Sequence, residues 1–307
     1  MKILIAYDGS KYAEAAIDDL PRAGFPRETD VKIVTVAHPG WPHASHSSSE
    51  EGTFGNPWKA TMEEANALAE KGRSRIQAEF PGWNVTSETL WGVCGKMLLK
   101  TAEVWHPDLF VVGSHGRSAG ARLLLGSVAM ELVHHAVCPV RVVRLPAETR
   151  TGPVRILLAT DGSDYTRTIT HHVLRRSWPA GTEARVVAVA QTLVPGPSPM
   201  VPSLEGQTFA HDPAYSVIDA SDERERLRLG QVTEAVAEQL QKEGLTVSTT
   251  VIDGDPKREI LAEAERWNAD TVFVGARGLG ALDRLLLGSV SNTLVTHAHC
   301  AVEVVRH

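Results

Sequence analysis

Apolar positions along this chain fall into two recurring patterns. Residues 2–7 and 31–37 are short, nearly unbroken apolar runs rich in branched side chains, as expected of strands buried on both faces. Polar and apolar residues mix at helical spacing elsewhere. One helix follows Asp8-Gly9-Ser10, with Ser10 as its N-cap, and a longer one covers 58–79. The alternation continues with a strand at 85–90, a helix around 96–105, a strand at 109–112, a helix opened by Ser127 and a strand at 140–143. Strands this far apart cannot form hairpins and predict a doubly wound parallel α/β sheet. Right-handed crossovers then bring the ends of the first and fourth strands to a crevice where ligands bind.

The whole pattern occurs twice. KILIAYDGSKY at residues 2–12 returns as RILLATDGSDY at 155–165, and residues 92–144 align without a gap on 254–306 with half of the positions identical. The copies run over 1–146 and 154–307, joined by a Pro/Gly/Thr-containing linker at 145–153. The second copy carries nine extra residues between its second strand and second helix. In both copies that region, 38–57 and 192–221, is rich in Pro, Gly and Ser and reads as a loop beside the crevice. His38, His43 and His46 lie there, but no carboxylate or cysteine completes a ligand spacing, so no metal site is assigned.

Composition narrows the classes. The 307 residues are 43% hydrophobic and 22% charged, which excludes a disordered or fibrous chain. A net charge of −6 disfavours nucleic acid as the main partner. Cys94, Cys138 and Cys300 are too few for a disulfide framework and form no CxxC pair; Cys138 and Cys300 read as core residues, Cys94 as core or redox-sensitive. The apolar start is too short for a signal peptide, and prolines break the longest uncharged stretch, 186–204, so no membrane span is expected. The expectation is a soluble, cytoplasmic protein.

The candidate chemistry follows the fourth strand of each copy. Gly113-Ser-His-Gly116 is followed after nine residues by Gly126-Ser127, and Gly275-Ala-Arg-Gly278 after nine residues by Gly288-Ser289. Glycines leaving a parallel strand let backbone N–H groups approach an anion, and a helix opening at Gly-Ser adds its own free donors. The alternative is that these glycines only shape tight turns. The spacing is neither GxxxxGK[ST] nor GxGxxG.

G-x2-G-x9-G-S, the openings ILIAYDGS and ILLATDGS, and the endings GSVAMELVHHAVCPVRVV and GSVSNTLVTHAHCAVEVV resemble the universal stress protein family, and its ATP-binding branch in particular. The resemblance covers nearly the whole chain, twice. It implies two tandem Rossmann-like five-stranded parallel-sheet domains of strand order 3-2-1-4-5, paired through their last strands about a pseudo-two-fold axis. It also implies ATP as ligand, with Mg²⁺ bound through the phosphates. Asp8 and Asp161 match the family aspartate that contacts the nucleoside, although an Asx-turn also explains them. Ala6 with Val36, and Ala159 with Val189, match the adenine pocket or are core. Val112 and Val274 would offer backbone to the nucleotide, and Val128 and Val290 would present N–H groups to phosphate. Ser291 adds a hydroxyl where the first copy has Ala129, and Arg277, in the place of His115, faces either phosphate or solvent. Arg122 and Arg284 recur at one loop position without an assigned role.

No lysine lies within either glycine motif and no carboxylate is aimed at a γ-phosphate, so no catalytic residue is assigned. The leading expectation is an ATP-binding stress-response or regulatory protein with two sites, the second at least as tight as the first, and slow hydrolysis at most. The alternative is an adenylyl-transfer or ATP-pyrophosphatase-like enzyme, though HxGH and SGGxDS motifs are absent. A nucleotide-free scaffold is the third reading. The apolar runs 140–143 and 302–305 are expected to pair within the chain, with further self-assembly left open.

Overall fold

The computed structural model describes residues 1–39, 41, 57–117, 125–145, 152–191, 213–278 and 287–306, with side chains from 58 and 221 in the two longest helices. The first half runs β1 (Lys2–Ala6), α1 (Lys11–Asp18), β2 (Asp30–Ala37), α2 (Pro57–Glu79), β3 (Asn84–Trp91), α3 (Cys94–Trp105), β4 (Leu109–Gly113), α4 (Ser127–His135) and β5 (Val140–Val143). The second half repeats it: β6 (Arg155–Thr160), α5 (Asp164–Leu174), β7 (Glu183–Ala190), α6 (Pro213–Lys242), β8 (Thr246–Asp253), α7 (Pro256–Arg266), β9 (Thr271–Gly275), α8 (Ser289–His297) and β10 (Ala301–Val305). Ser10 caps α1 as expected, accepting from the Ala13 amide at 3.2 Å.

One expectation needs correction. The stretch 192–221 is not all loop, because α6 begins at Pro213. Proline suits the first helical position, where its missing N–H costs nothing, and Pro57 opens α2 in the same way. The second long helix therefore has 30 residues against 23 in the first. His43, His46, Arg122 and Arg284 lie outside the described residues.

Ten strands form a single sheet in the order β3-β2-β1-β4-β5-β10-β9-β6-β7-β8. Each half is parallel with order 3-2-1-4-5, and the halves join where β5 and β10 pair antiparallel, with Val142 opposite Val302, Arg141 opposite Glu303 and Val140 opposite Val304. This is the expected pseudo-two-fold pairing. It removes both apolar edges that the last strands would otherwise expose.

The two faces of the sheet treat this seam differently. On one face a single core cluster runs across it, taking Val140, Val142, Leu132 and Val133 from the first half and Val302, Val304, Leu294 and Val295 from the second. On the other face the cores are separate, one around Ile3, Ile5, Ile17 and Ile33, the other around Ile156, Leu158, Val173 and Val186. Side chains alternate along a strand, so Arg141 and Glu303 point to that second face, between the two cores.

Arginines just past the last strands complete the join. Arg144 donates to the carbonyls of Val295 and Thr296, at 2.6 and 2.5 Å, in the last turn of α8. Arg306 does the same for Val133 and His134 at the end of α4, the latter at 3.2 Å. Each half thus satisfies orphan carbonyls of the other half's last helix with a cation at its negative end.

Candidate functional site

Strand order places β1 and β4, and likewise β6 and β9, side by side with their crossovers leaving in opposite directions. The carboxyl ends of such strands leave a crevice open. In the second half that crevice is a cavity of ≈620 Å³. Its wall includes Ala159, Asp161, Val189, Val274, Arg277, Gly278, Gly288, Ser289, Val290 and Ser291. Of the second-half residues assigned to the nucleotide site in the sequence, all but Gly275 line it. Sequence reasoning missed the contribution of α6, which adds Glu225 and Leu229, and of α7, which adds Pro256 and Ile260. Glu225 and Leu229 lie just past 192–221, on a helix whose inward face the sequence pattern did not single out.

The local geometry explains the residue types. Asp161 ends β6 and its Oδ1 accepts the Ser163 amide at 2.9 Å, closing an Asx-turn over Gly162 at φ +76°. Gly278 carries no Cβ because one would stand 2.5 Å from Asp161 Oδ2. The second glycine of the loop therefore makes room for the aspartate carboxylate. Gly288 closes the loop, donating to the Ala276 carbonyl at 2.7 Å, and a Cβ on it would sit tightly, 3.2 Å from that oxygen. It is also the N-cap of α8 and supplies no side-chain acceptor, so the first-turn amides of Ser289 and Val290 have no cap bond. Gly275 has a packing reason: a Cβ there would lie 2.7 Å from Tyr165 Cβ on α5.

The first half repeats the frame with different chemistry. Asp8 Oδ1 accepts from the Ser10 amide at 2.9 Å and Oδ2 from the Arg117 amide at 3.0 Å, so backbone donors hold both oxygens. Gly116 faces Asp8 as Gly278 faces Asp161, a Cβ on it standing 3.0 Å from Oδ2, and a Cβ on Gly113 would stand 2.6 Å from the Tyr12 backbone. Gly126 donates to the Ser114 carbonyl at 2.7 Å and opens α4 ahead of Ser127, again with no side-chain cap. Val36, Val112, Ala159 and Val274 belong to the core cluster that crosses the seam, and Ala6, Val128, Val189 and Val290 pack against it. The apolar floor of each crevice is thus continuous with the core.

The side chains that distinguish the halves are also placed. His115 stacks on Tyr12 at 4.7 Å between ring centres, and Arg277 lies over the equivalent Tyr165 ring at 5.7 Å. Ser291 Oγ donates to the Gly275 carbonyl at 2.5 Å, which directs its proton at the backbone and leaves its lone pairs for a donor. Arg228 on α6 donates to the Asp161 carbonyl at 2.9 Å and is held by Glu225 at 2.7 Å. Leu68 covers the corresponding Gly9 turn in the first half. Cys94 stands where the second half has Pro256; burial, with Asp8 and Glu131 nearby, pushes its thiol up. Among the described residues no group of three or more His, Cys, Asp or Glu gathers as a metal site.

The model of the universal stress protein family matches residues 1–144 and again 154–306. The chain belongs to the universal stress protein family. A universal stress protein of Synechocystis is 38% identical over 74 residues, 24% of this chain. The match spans 48% of that relative, about half its length. A universal stress protein of Mycolicibacterium smegmatis is 26% identical over 317 residues, covering 99% of this chain and 96% of that one. Among solved structures, a universal stress protein from Archaeoglobus fulgidus superposes with a TM-score of 0.61 at 20% identity, covering 100% of this chain and 96% of that one. That likeness supports the tandem fold of this universal stress protein. No helix among its described residues is long and apolar enough to cross a membrane.

Proposed function

We propose that this universal stress protein is an ATP-binding stress-response or regulatory protein of the cytoplasm, with one nucleotide site in each half, 1–146 and 154–307. The second site leads. The observation that supports this is the ≈620 Å³ cavity at the carboxyl ends of β6 and β9, bordered by a helix N-terminus without a side-chain cap. Ligand cavities fall at roughly 300–1,000 Å³, so a nucleotide fits. Asp161 would take the nucleoside, Ala159, Val189 and Val274 the base, and the amides of Gly288, Ser289 and Val290 the phosphates. Arg277 swinging from Tyr165 would add a charge-assisted bond. Mg²⁺ would ride on phosphate oxygens and water. In the first half Asp8, Ala6, Val36, Val112, Gly113, Gly116 and the amides of Gly126, Ser127 and Val128 would serve, without a counterpart of Ser291 or Arg277. Among the described lining residues the two carboxylates are engaged, Asp161 by the Ser163 amide and Glu225 by Arg228, which supports hydrolysis that is slow at most.

Mass spectrometry of nucleotide released from the purified protein tests this. Two ATP per chain support both sites, and one supports the second. None, even after ATP and Mg²⁺ are added, overturns the proposal. Calorimetry on Gly288→Val and Gly126→Val, each checked for an intact thermal transition, ranks the sites; a larger loss from Gly126→Val would reverse the order.

A further inference from the structure

The ladder that joins the halves carries a charge pattern that its pseudo-symmetry lacks. Arg141 in VRVV and Glu303 in AVEVV are equivalent positions, and they face each other in register, so the pseudo-two-fold axis passes between them. Both are fully buried. Arg141 Nη1 donates to Glu303 Oε2 at 3.1 Å, its Nε to Asp19 Oδ2 at 2.6 Å and its Nη2 to Thr271 Oγ1 at 2.8 Å. Glu303 Oε1 also meets His172 Nε2 at 2.5 Å and accepts from Arg176. Asp19 and His172 are themselves equivalent when the two openings are superposed. The first half thus sets a cation on its last strand and an acid at the end of its first helix. The second half sets an acid on its last strand and an imidazole on its first helix.

Like halves would meet less favourably at this seam. Two first halves would oppose Arg141 with Arg141, remove Glu303 from Nη1, and put Leu109, the counterpart of Thr271, in front of Nη2. Two second halves would oppose Glu303 with Glu303. Arg176, which now donates to the Ala23 carbonyl at 2.8 Å, would find a second Arg176 in Ala23's place. The Trp178 ring lies 2.6 Å from where a Cβ on Gly24 would stand, and the counterpart of Gly24 is Ser177, so packing also opposes that pairing.

We infer that the seam is a recognition surface for the opposite half and against the like half. Association through β5 and β10, within one chain or by exchange of halves between copies, joins first half to second. A buried ion pair is a weak source of stability, but a buried like-charge pair is a strong source of rejection. The apolar face of the seam would accept either pairing; the charged face decides.

The test places a protease site in the 146–151 connection of the full chain. The folded protein is cut, unfolded in urea and refolded, and native mass spectrometry then resolves the three pairings by mass. Mixed pairs are expected, with like pairs at least about a hundred-fold rarer. Neutralising the seam with Arg141→Gln and Glu303→Gln, or with methionine at both positions, should raise pairs of first halves towards the abundance of mixed ones, while Arg176 and Trp178 still oppose pairs of second halves. Comparable amounts of like pairs in the unsubstituted protein would overturn the inference, as would strict mixing that survives both neutral variants. Where a variant fails to refold, the unsubstituted protein decides: like pairs sink the idea and their absence sustains it.

Discussion

Asp161 and Gly278 form one unit, because the carboxylate occupies the space a Cβ would need. Gly278→Ala should therefore displace Asp161 and weaken nucleotide binding more than Gly116→Ala does, since Asp8 leaves 3.0 Å and Asp161 only 2.5 Å. Titration calorimetry of the two variants checks the order; equal losses would mean that the carboxylates play no part. The cysteines give a second prediction. Burial raises the Cys94 thiol and pushes Cys138 up to about 11. A thiol raised in this way holds little thiolate at neutral pH. Cys94 should react with a thiol reagent more slowly than free cysteine, and Cys138 only on unfolding. Fast labelling of Cys94 would restore the redox reading. At this scale the sequence was informative about residue types. It could not separate the packing reason for the glycines from an anion-binding one, because both need a missing Cβ. The structure supplies a firm packing reason at Gly113, Gly275 and Gly278 and a tight fit at Gly116, Gly126 and Gly288, and the crevice in the second half keeps the other reading open.

Equivalent elements in the two halves are not built alike. Ser10 caps α1 through the Ala13 amide, whereas Ser163, in the same place, makes no cap bond and its buried hydroxyl has no partner among the described residues. Losing a serine N-cap costs about 1 kcal/mol. Ser10→Ala should lower unfolding stability by about that amount, and Ser163→Ala by clearly less, as read from urea denaturation. Equal losses would show that Ser163 caps α5 in solution. The element boundaries were largely legible, since short apolar runs and helical periods do not imitate each other over this length. The start of α6 was not, because the Pro-, Gly- and Ser-rich stretch before it hid the one relevant cue, Pro213 at the first helical position.

For the molecule as a whole, the seam makes stability sensitive to acid. Burial alone would raise the Glu303 carboxyl, but Arg176, His172 and Arg141 outweigh it and hold the group well below the usual carboxylate range. A carboxyl lowered in the folded state contributes stability that is fully present above the unfolded value, near 4.3, and is lost as pH falls towards the folded value. Wild-type stability should therefore decline more steeply below about pH 5 than that of Glu303→Gln. At neutral pH the same variant leaves Arg176 and Arg141 short of an acceptor in a dry seam, at a cost of about 3–5 kcal/mol. Parallel slopes in urea titrations from pH 7 to pH 3 would contradict this account.

The duplication, the order of strands and helices, and the residue types at the crevices were determined by the sequence alone. These follow from local periodicity and from spacing repeated in two copies. Only the tertiary structure decided which long-helix side chains enter the second cavity and how Arg228 meets the Asp161 turn. It also decided what the lone charges in VRVV and AVEVV do. As sequence, those strands are apolar edges with one misplaced residue each. Their meaning depends on the register of an antiparallel pair formed 162 positions apart, and on Asp19, His172 and Arg176 arriving from other elements. Local pattern carries no record of such a meeting, because the energy of a buried charge depends on neighbours that only the fold assembles.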